Sequence, residues 1–292
     1  MSLAPSPSRP VTFSLNWRRV TAPLLIAAAI CTAVIWHGAD RRPVDATQPL
    51  ELRDASRAGA AVEGPVLRIG TFNIHGGRGP GGTLDLDATA DVLRRQALDF
   101  VGLYEVHGSF TTDQAEGLGS RLEMASLFAG TERRWWHEHF GNGLLTRRPL
   151  RSVMRIDLPG TQGKRFRNAL LATLDVGGTT VKVIATHIDT ATDRDEQLEI
   201  VFELFRSLEP PVVLMGDLNC RTDHPLLSGL LAEPGVVDAV AAHAGSGTPA
   251  LWIDHLIVRG MEIRDSRVVT TDASDHPCVW AELAVSGDSR EW

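Results

Sequence analysis

Six times along this chain, an apolar run of the kind that forms a buried strand ends on a carboxylate, amide or imidazole and then a glycine, proline or turn. The cases are Ile69-Gly-Thr-Phe-Asn73, Val101-Gly-Leu-Tyr-Glu105, Val183-Ile-Ala-Thr-His187, Val212-Val-Leu-Met-Gly-Asp217-Leu-Asn219, Trp252-Ile-Asp254-His255 and Ser274-Asp275-His276-Pro277. A polar side chain at the end of a buried strand costs on the order of 1–3 kcal/mol unless it is hydrogen-bonded, paired or bound to a metal. One such residue is explained as a satisfied core polar group. Six strand ends that converge on one rim are not, and they are read as a single site.

The runs between these ends set the fold class. Strands are expected at Leu67–Ile74, Phe100–Glu105, Gly143–Thr146, Ala169–Val176, Thr180–His187, Val212–Asp217, Ile253–Val258 and Cys278–Leu283. Asp175-Val-Gly-Gly-Thr179 between two of them is a hairpin signal. Helices are expected at Leu86–Leu98, where Leu86, Ala90, Leu93 and Ala97 share a face, and at Arg194–Leu208. In the second, Leu198, Val201, Phe202, Phe205 and Leu208 share a face, and Asp193 is available as a cap. Hairpin-linked strands with helices inserted between others predict an α/β domain, with a mixed sheet pair and helices outside.

A domain of this kind spans residues 65–286, long enough to bury a core without staples. Before it, residues 1–19 form a Ser/Pro-rich tail whose only charges are Arg9, Arg18 and Arg19. Residues 20–37 are apolar, and no charge occurs from Val20 to Ala39. A helix of about 20 residues reaches about 30 Å, the thickness of a bilayer core. With Trp36 at the interfacial position and no Ala-x-Ala site following, the segment reads as an uncleaved transmembrane anchor. A cleaved export signal and a core helix are the alternatives. The anchor reading puts the domain outside the cytoplasm, periplasmic or extracellular, although Arg41 and Arg42 add positive charge on the far side as well. Residues 38–64 lack periodicity and read as a flexible linker.

The formal net charge of -7 argues against a surface that is one broad nucleic-acid footprint. Between Thr131 and Arg167, however, Arg133, Arg134, Arg147, Arg148, Arg151, Arg155, Lys164, Arg165 and Arg167 face only Glu132, Glu138 and Asp157, a local balance of +6. That stretch is either a set of solvated strand ends or a positive wall for an anionic substrate. Three cysteines exclude a disulfide scaffold. Cys220 and Cys278 read as buried free thiols, with one disulfide as the alternative for an exported domain.

The chemistry of the rim is specific. Glu105, Asp217, Asp254 and Asp275, with the amides of Asn73 and Asn219, offer oxygen donors suited to a hard cation such as Mg²⁺, Mn²⁺ or Ca²⁺. Zinc would call for His and Cys at short spacing, which these cysteines do not supply. An imidazole beside a carboxylate is general acid/base equipment. Together these describe hydrolysis of a phosphoester.

Thr71-Phe-Asn-Ile-His-Gly-Gly77, Gly102-Leu-Tyr-Glu105, Gly141-Asn-Gly-Leu-Leu-Thr-Arg147, Thr186-His187, Gly216-Asp-Leu-Asn219, Ile253-Asp254 and Ser274-Asp-His276 resemble, in order and spacing, the motifs of the endonuclease/exonuclease/phosphatase superfamily. The resemblance covers essentially residues 65–285. It implies a four-layer α/β sandwich, two packed β-sheets with helices outside and the site at one end; the transmembrane helix read from residues 20–37 would precede it. It also implies roles: Glu105 as principal Mg²⁺ ligand, helped by Asn73 and by Asp275, directly or through water. His276, oriented by Asp254, would act as base or hold the scissile phosphate. Asp217 is the other candidate for activating water. Asn219 would hold a phosphate oxygen, and His187 would stabilise the transition state or aid the leaving group.

His75 departs from the pattern, standing where some DNA-repair members carry an acidic residue. Arg167 resembles a position that can face the phosphate, and a solvated strand-end arginine is the alternative. Fold and core chemistry do not choose the substrate. A membrane-tethered or exported, monomeric phosphodiesterase or phosphatase of unassigned substrate is the expectation, with a phospholipid head group or phosphoinositide as one candidate. An extracytoplasmic nuclease acting on DNA or RNA is the alternative, and an inactive binding module a lesser one.

Overall fold

In the computed structural model, residues 17–39, 42–44, 47, 49–59, 64–109, 111–133, 139–160, 166–243 and 252–285 are described. The chain divides into two compact units, Met1–Asp40 and Arg41–Trp292. The first holds α1 (Trp17–Ala39), which carries Pro23 inside it and exposes Leu24, Leu25 and Ile26. The expected transmembrane helix over 20–37 is not supported: among the described residues no helix is long and apolar enough to cross a membrane.

The second unit builds two sheets in chain order. β1 (Arg42–Pro43), β2 (Val66–Asn73), β3 (Phe100–Gly108), β4 (Ala125–Arg133) and β5 (His139–Thr146) enter the first sheet. β6 (Leu150–Leu158), β7 (Arg167–Val176), β8 (Thr179–His187), β9 (Val212–Asp217), β10 (Val236–Asp238) and β11 (Asp254–Arg259) form the second. β12 (Glu262–Val269) and β13 (Cys278–Ala284) return to the first, giving the orders β1-β4-β5-β3-β2-β13-β12 and β10-β11-β9-β8-β7-β6. Both sheets are mixed: β2 runs parallel to β3 and β8 parallel to β9, while the other pairings are antiparallel. The sequence expectation omitted β1, β4, β6, β10 and β12, and all the expected strands form with shifts of a few residues at their ends.

Side-chain alternation stacks these sheets into four layers. Leu67 and Ile69 of β2, Val183 and Ala185 of β8, and Val213 and Met215 of β9 meet between the sheets. Phe72, Val101 and Leu103 point the other way, under α2 (Leu86–Gln96) and α3 (Gln114–Leu122). Ile184, Leu214 and Ile257 pack under α4 (Arg194–Ser207) and α5 (Pro225–Leu231), against Leu198, Val201, Phe202 and Phe205. A short α6 (Ala239–His243) follows β10. Because β9 is covered on both faces, its sequence is a continuous apolar run and not an alternating one.

Local devices fix the ends. Gly177 and Gly178, at φ 60° and 85°, make the expected tight turn between β7 and β8, where Asp175 accepts from the Gly178 N–H at 2.8 Å. Asp85 caps α2 by accepting from Ala88 N. Asp193, expected to cap α4, makes no side-chain cap bond; its backbone N–H donates to Asp189 Oδ2 at 3.4 Å instead.

The segment expected as a free linker is instead docked over much of its length. β1 pairs with β4, Arg53 and Ser126 form a backbone bridge, and Leu50 and Leu52 pack on the inter-sheet core. Arg53 pairs with Glu116 and Asp113, and Arg57 donates to the Gly119 carbonyl. Its polar composition reflects ion pairs to α3, which look in the sequence like solvated charge.

Candidate active site

Strand register sets the first contacts. Register places Asn73 beside Tyr104, His187 beside Asp217, and Asp217 beside Asp254, so three strands of the second sheet and its neighbour sheet end level with one another. Gly216 permits this at β8–β9: a Cβ there would lie 1.9 Å from the Thr186 carbonyl oxygen. Across the sheets, Asn73 Nδ2 donates to Asp217 Oδ2 at 3.1 Å, and the buried Tyr104 hydroxyl donates to Met215 O at 3.1 Å.

Asp217 is the hub, 1% exposed. Its Oδ2 also lies 3.4 Å from His187 Nε2 and 3.7 Å from His276 Nε2, while its Oδ1 accepts from Asn219 N at 3.1 Å. Burial, then the charge of Asp254, pushes its carboxyl up to about 7. Asp254 holds His276 Nδ1 at 2.8 Å through Oδ2. This bond keeps the proton on Nδ1 and turns Nε2 toward Asp217. Burial opposes charge on His276, but the hydrogen bond and charge of Asp254 outweigh it, raising the imidazole to about 9.

The loop before β13 is tied to the same rim. Ser274 Oγ donates to Asn73 O at 2.7 Å and accepts from His276 N at 3.2 Å, so it locks His276 to the end of β2. Asp275 Oδ1 lies 3.5 Å from His75 Nδ1. Asn73 Oδ1 accepts from His75 N at 3.0 Å. Asn219 donates from Nδ2 to Ile188 O at 2.8 Å. Glu105 sits half-buried at an irregularity of the β3–β5 ladder, with φ 54°; His75 and Asn219 also have positive φ, both 48°. Left-handed backbone at non-glycine residues costs on the order of 1–3 kcal/mol and gathers at functional sites.

The carboxylates fit a cation. Donor atoms of Asp217, Asp254 and His276 lie within 4.8 Å of one another. Asp254 Oδ1 is buried and has no hydrogen-bond partner among the described residues. Two buried carboxylates side by side, one pushed toward protonation, are what a divalent ion relieves. The residues named from sequence divide here. Asn73, His187, Asp217, Asn219, Asp254 and His276 are joined in one network, and Asp275 borders it through Ser274 and His75. Among the described residues Glu105 is tied to it by no hydrogen bond, only by the charge it shares with Arg167.

Arg167 is the member of the basic stretch that reaches this site. It is 8% exposed, lies over the Phe140 ring at 5.5 Å, and has a buried Nε with no hydrogen-bond partner among the described residues. Burial lowers its pKa against the opposing charges of Glu132, Asp189, Glu105 and Asp217. The Phe140 ring also stands 6.4 Å from the His187 ring. Elsewhere in the stretch, Arg147 donates to Leu122 O, Arg148 to Val66 O, Arg151 pairs with Asp175 and Arg155 with Asp157. A continuous positive wall is therefore not formed by these; Arg134, Lys164 and Arg165 lie outside the described residues.

Three roles were not legible in the sequence motifs. Ser274 orders the His276 loop. Asn142, inside a quoted motif, clamps the two sheets by donating to Asn168 O at 3.0 Å and Asn168 Oδ1 at 2.9 Å. Phe140 carries no polar signal at all. Cys220 and Cys278 are free and buried in different core clusters, and burial pushes both thiols up to about 12.

The sequence model of the Endonuclease/Exonuclease/phosphatase family matches residues 70–276. Among solved structures, an endonuclease/exonuclease/phosphatase from Beutenbergia cavernae is 27% identical, with 76% of this chain and 72% of that one covered at a TM-score of 0.62. A mannosyl-6-phosphatase from Bacteroides thetaiotaomicron is 16% identical, covering 75% of this chain and 99% of its own at 0.59. D. rerio TDP2 complexed with single strand DNA product is 18% identical, covering 75% and 99% at 0.57. These last two likenesses speak for the fold. No curated protein matches the sequence.

Proposed function

The chain belongs to the endonuclease/exonuclease/phosphatase family, and from that membership we propose that it is a divalent-metal-dependent hydrolase of a small phosphoester. Members of this family hydrolyse phosphoester bonds. One observation carries the proposal: Asp217, Asp254 and His276 converge beside Asn73 and His187 in a buried, polar corner.

Asp217 takes the proton of the attacking water, because its carboxylate is held by the Asn73 and Asn219 N–H groups and lies close to neutrality. His276, kept protonated by Asp254, holds a phosphoryl oxygen with Nε2–H. Asn219 and Arg167 add donors, and His187 stands by the leaving oxygen. Following the family's motifs, Glu105, Asn73 and Asp275 would hold the ion, and the buried negative charge of Asp217 and Asp254 would favour it beside them without ligating it. When bound, a divalent cation neutralises phosphoryl charge as a Lewis acid.

Two features favour a small substrate. A cavity of about 370 Å³ opens from His276 and Asp275 along Trp252, Thr270, Thr271 and Pro277, room for one head group or nucleoside. Most described cations of the basic stretch are spent within the fold, whereas a grip on long nucleic acid uses a row of phosphate contacts. A lipid head group or a sugar phosphate meets these conditions. A nucleic-acid end is the second substrate, favoured by Trp252, an aromatic residue that lines the cavity beside His276 and could stack a base.

The test is a panel with Mg²⁺: bis-p-nitrophenyl phosphate, a phosphoinositide, a hexose phosphate, single-stranded DNA and plasmid DNA. Turnover of a small phosphoester, abolished in Asp217→Asn, is the expected result. Selective cleavage of plasmid DNA would overturn the small-substrate reading, and inertness toward all five would overturn the activity.

A further inference from the structure

Behind the catalytic corner, a second His–Asp pair faces away from it. Along β11 the side chains alternate, so Asp254 enters the site and His255 points to the opposite face. His255 Nδ1 lies 2.8 Å from Asp238 Oδ2, and its Nε2 lies 2.9 Å from the Cys220 carbonyl oxygen. The ring is 3% exposed and Asp238 6% exposed. A carboxylate and a carbonyl both accept and neither donates, so both bonds form together only when the ring carries an N–H on each nitrogen. The other Asp238 oxygen accepts from Val240 N at 3.0 Å, which fixes the carboxylate in turn.

The position of Cys220 gives this pair its meaning. It follows Asn219 directly, in the turn that leaves β9. On the near side that turn is held by Leu218 N to Ile253 O at 2.8 Å, Asn219 N to Asp217 Oδ1, and Asn219 Nδ2 to Ile188 O. On the far side, His255 grips the Cys220 carbonyl with a charge-assisted bond. Asn219 itself is left-handed at φ 48°, a conformation asparagine tolerates better than most residues and that bonds on both sides of the turn hold in place.

We propose that His255, backed by Asp238, is a positioning residue that clamps the Asp217–Cys220 turn and so holds the Asn219 amide and the Asp217 carboxylate in their working geometry. The proposal rests on the phosphoester-hydrolase reading above. His255 touches no reacting atom; it acts through the backbone of Cys220.

The test compares wild type with His255→Gln, whose amide donates one bond but not both, and with Asp238→Asn, each purified as the full chain. The expected result, read per folded molecule, is a kcat lower by about 10- to 100-fold with KM for bis-p-nitrophenyl phosphate and the Mg²⁺ requirement unchanged. A merely structural role would lower the melting temperature and leave kcat per folded molecule at the wild-type value, which would overturn the clamp. Should both variants fold poorly, wild type decides by NMR: a slowly exchanging His255 Nε2–H signal coupled across the hydrogen bond to the Cys220 carbonyl supports the clamp, and its absence overturns it. A wild type inert toward every substrate, with Asp217→Asn no different from it, would overturn the underlying activity instead.

Discussion

Along β9, Val212, Val213, Leu214 and Met215 are fully buried, and Asp217 is buried almost as completely. Their effects on stability differ in sign. Each interior side chain contributes about 1.5–3 kcal/mol by leaving water. A buried carboxylate beside another one costs several kcal/mol until a partner or ion compensates it. The same contrast holds for β2 between Ile69 and Asn73 and for β8 between Val183 and His187. The strand interiors therefore supply the stability that the rim consumes, and the rim holds the candidate catalytic side chains.

The sharpest way to break this contrast is Asp217→Asn. Loss of the base is expected to lower kcat/KM by about 1000-fold, while removal of a buried charge beside Asp254 leaves the melting temperature equal or higher; thermal melts and initial rates on one sample decide. Phe202→Ala, under the second sheet, is the converse. It is expected to cost about 3–5 kcal/mol in denaturant unfolding with activity per folded molecule unchanged, and a matching loss of kcat would erase the distinction between interior and rim.

Asp254→Asn probes the link between the two His276 properties. It removes the charge that raises the imidazole, so the upper limb of the pH–rate profile moves down and kcat/KM falls by about 10- to 100-fold. In wild type, the expected profile rises as the Asp217–His276 pair loses its first proton near 7 and falls as it loses its second near 9. The sign for stability follows from the same shift. Because the folded imidazole value is raised, the Asp254–His276 pair contributes fully below the ordinary histidine value and is lost as pH rises through about 9. A profile flat across this range would contradict both assignments. The smallest effect is expected at Met154, more than half exposed on β6 at the edge of the second sheet; Met154→Thr should stay within about 0.5 kcal/mol of wild type.

How much of this was legible in the sequence depended on whether burial and pattern coincided. β9 was readable end to end because burial on both faces leaves a continuous apolar run that stops at the site. β6 and β12 were not: as edge strands they carry Arg151, Arg155, Arg264 and Arg267, charges that suit an exposed edge and disguise the period-two signal. The docked 42–59 segment was hidden for a related reason, since Arg53 and Arg57 find partners more than sixty residues away. At the site, polar strand ends identified Asn73, His187, Asp217, Asp254 and His276. The left-handed backbone of Glu105 and the two acceptors facing His255 are properties of geometry, and residue type alone carries no trace of them.

The most direct measurement is hydrolysis of bis-p-nitrophenyl phosphate by the full chain with Mg²⁺, after EDTA, and in Asp217→Asn. The account predicts turnover that EDTA abolishes, that Mg²⁺ restores, and that the variant lacks while remaining folded. Turnover indifferent to EDTA and undiminished in Asp217→Asn would contradict it.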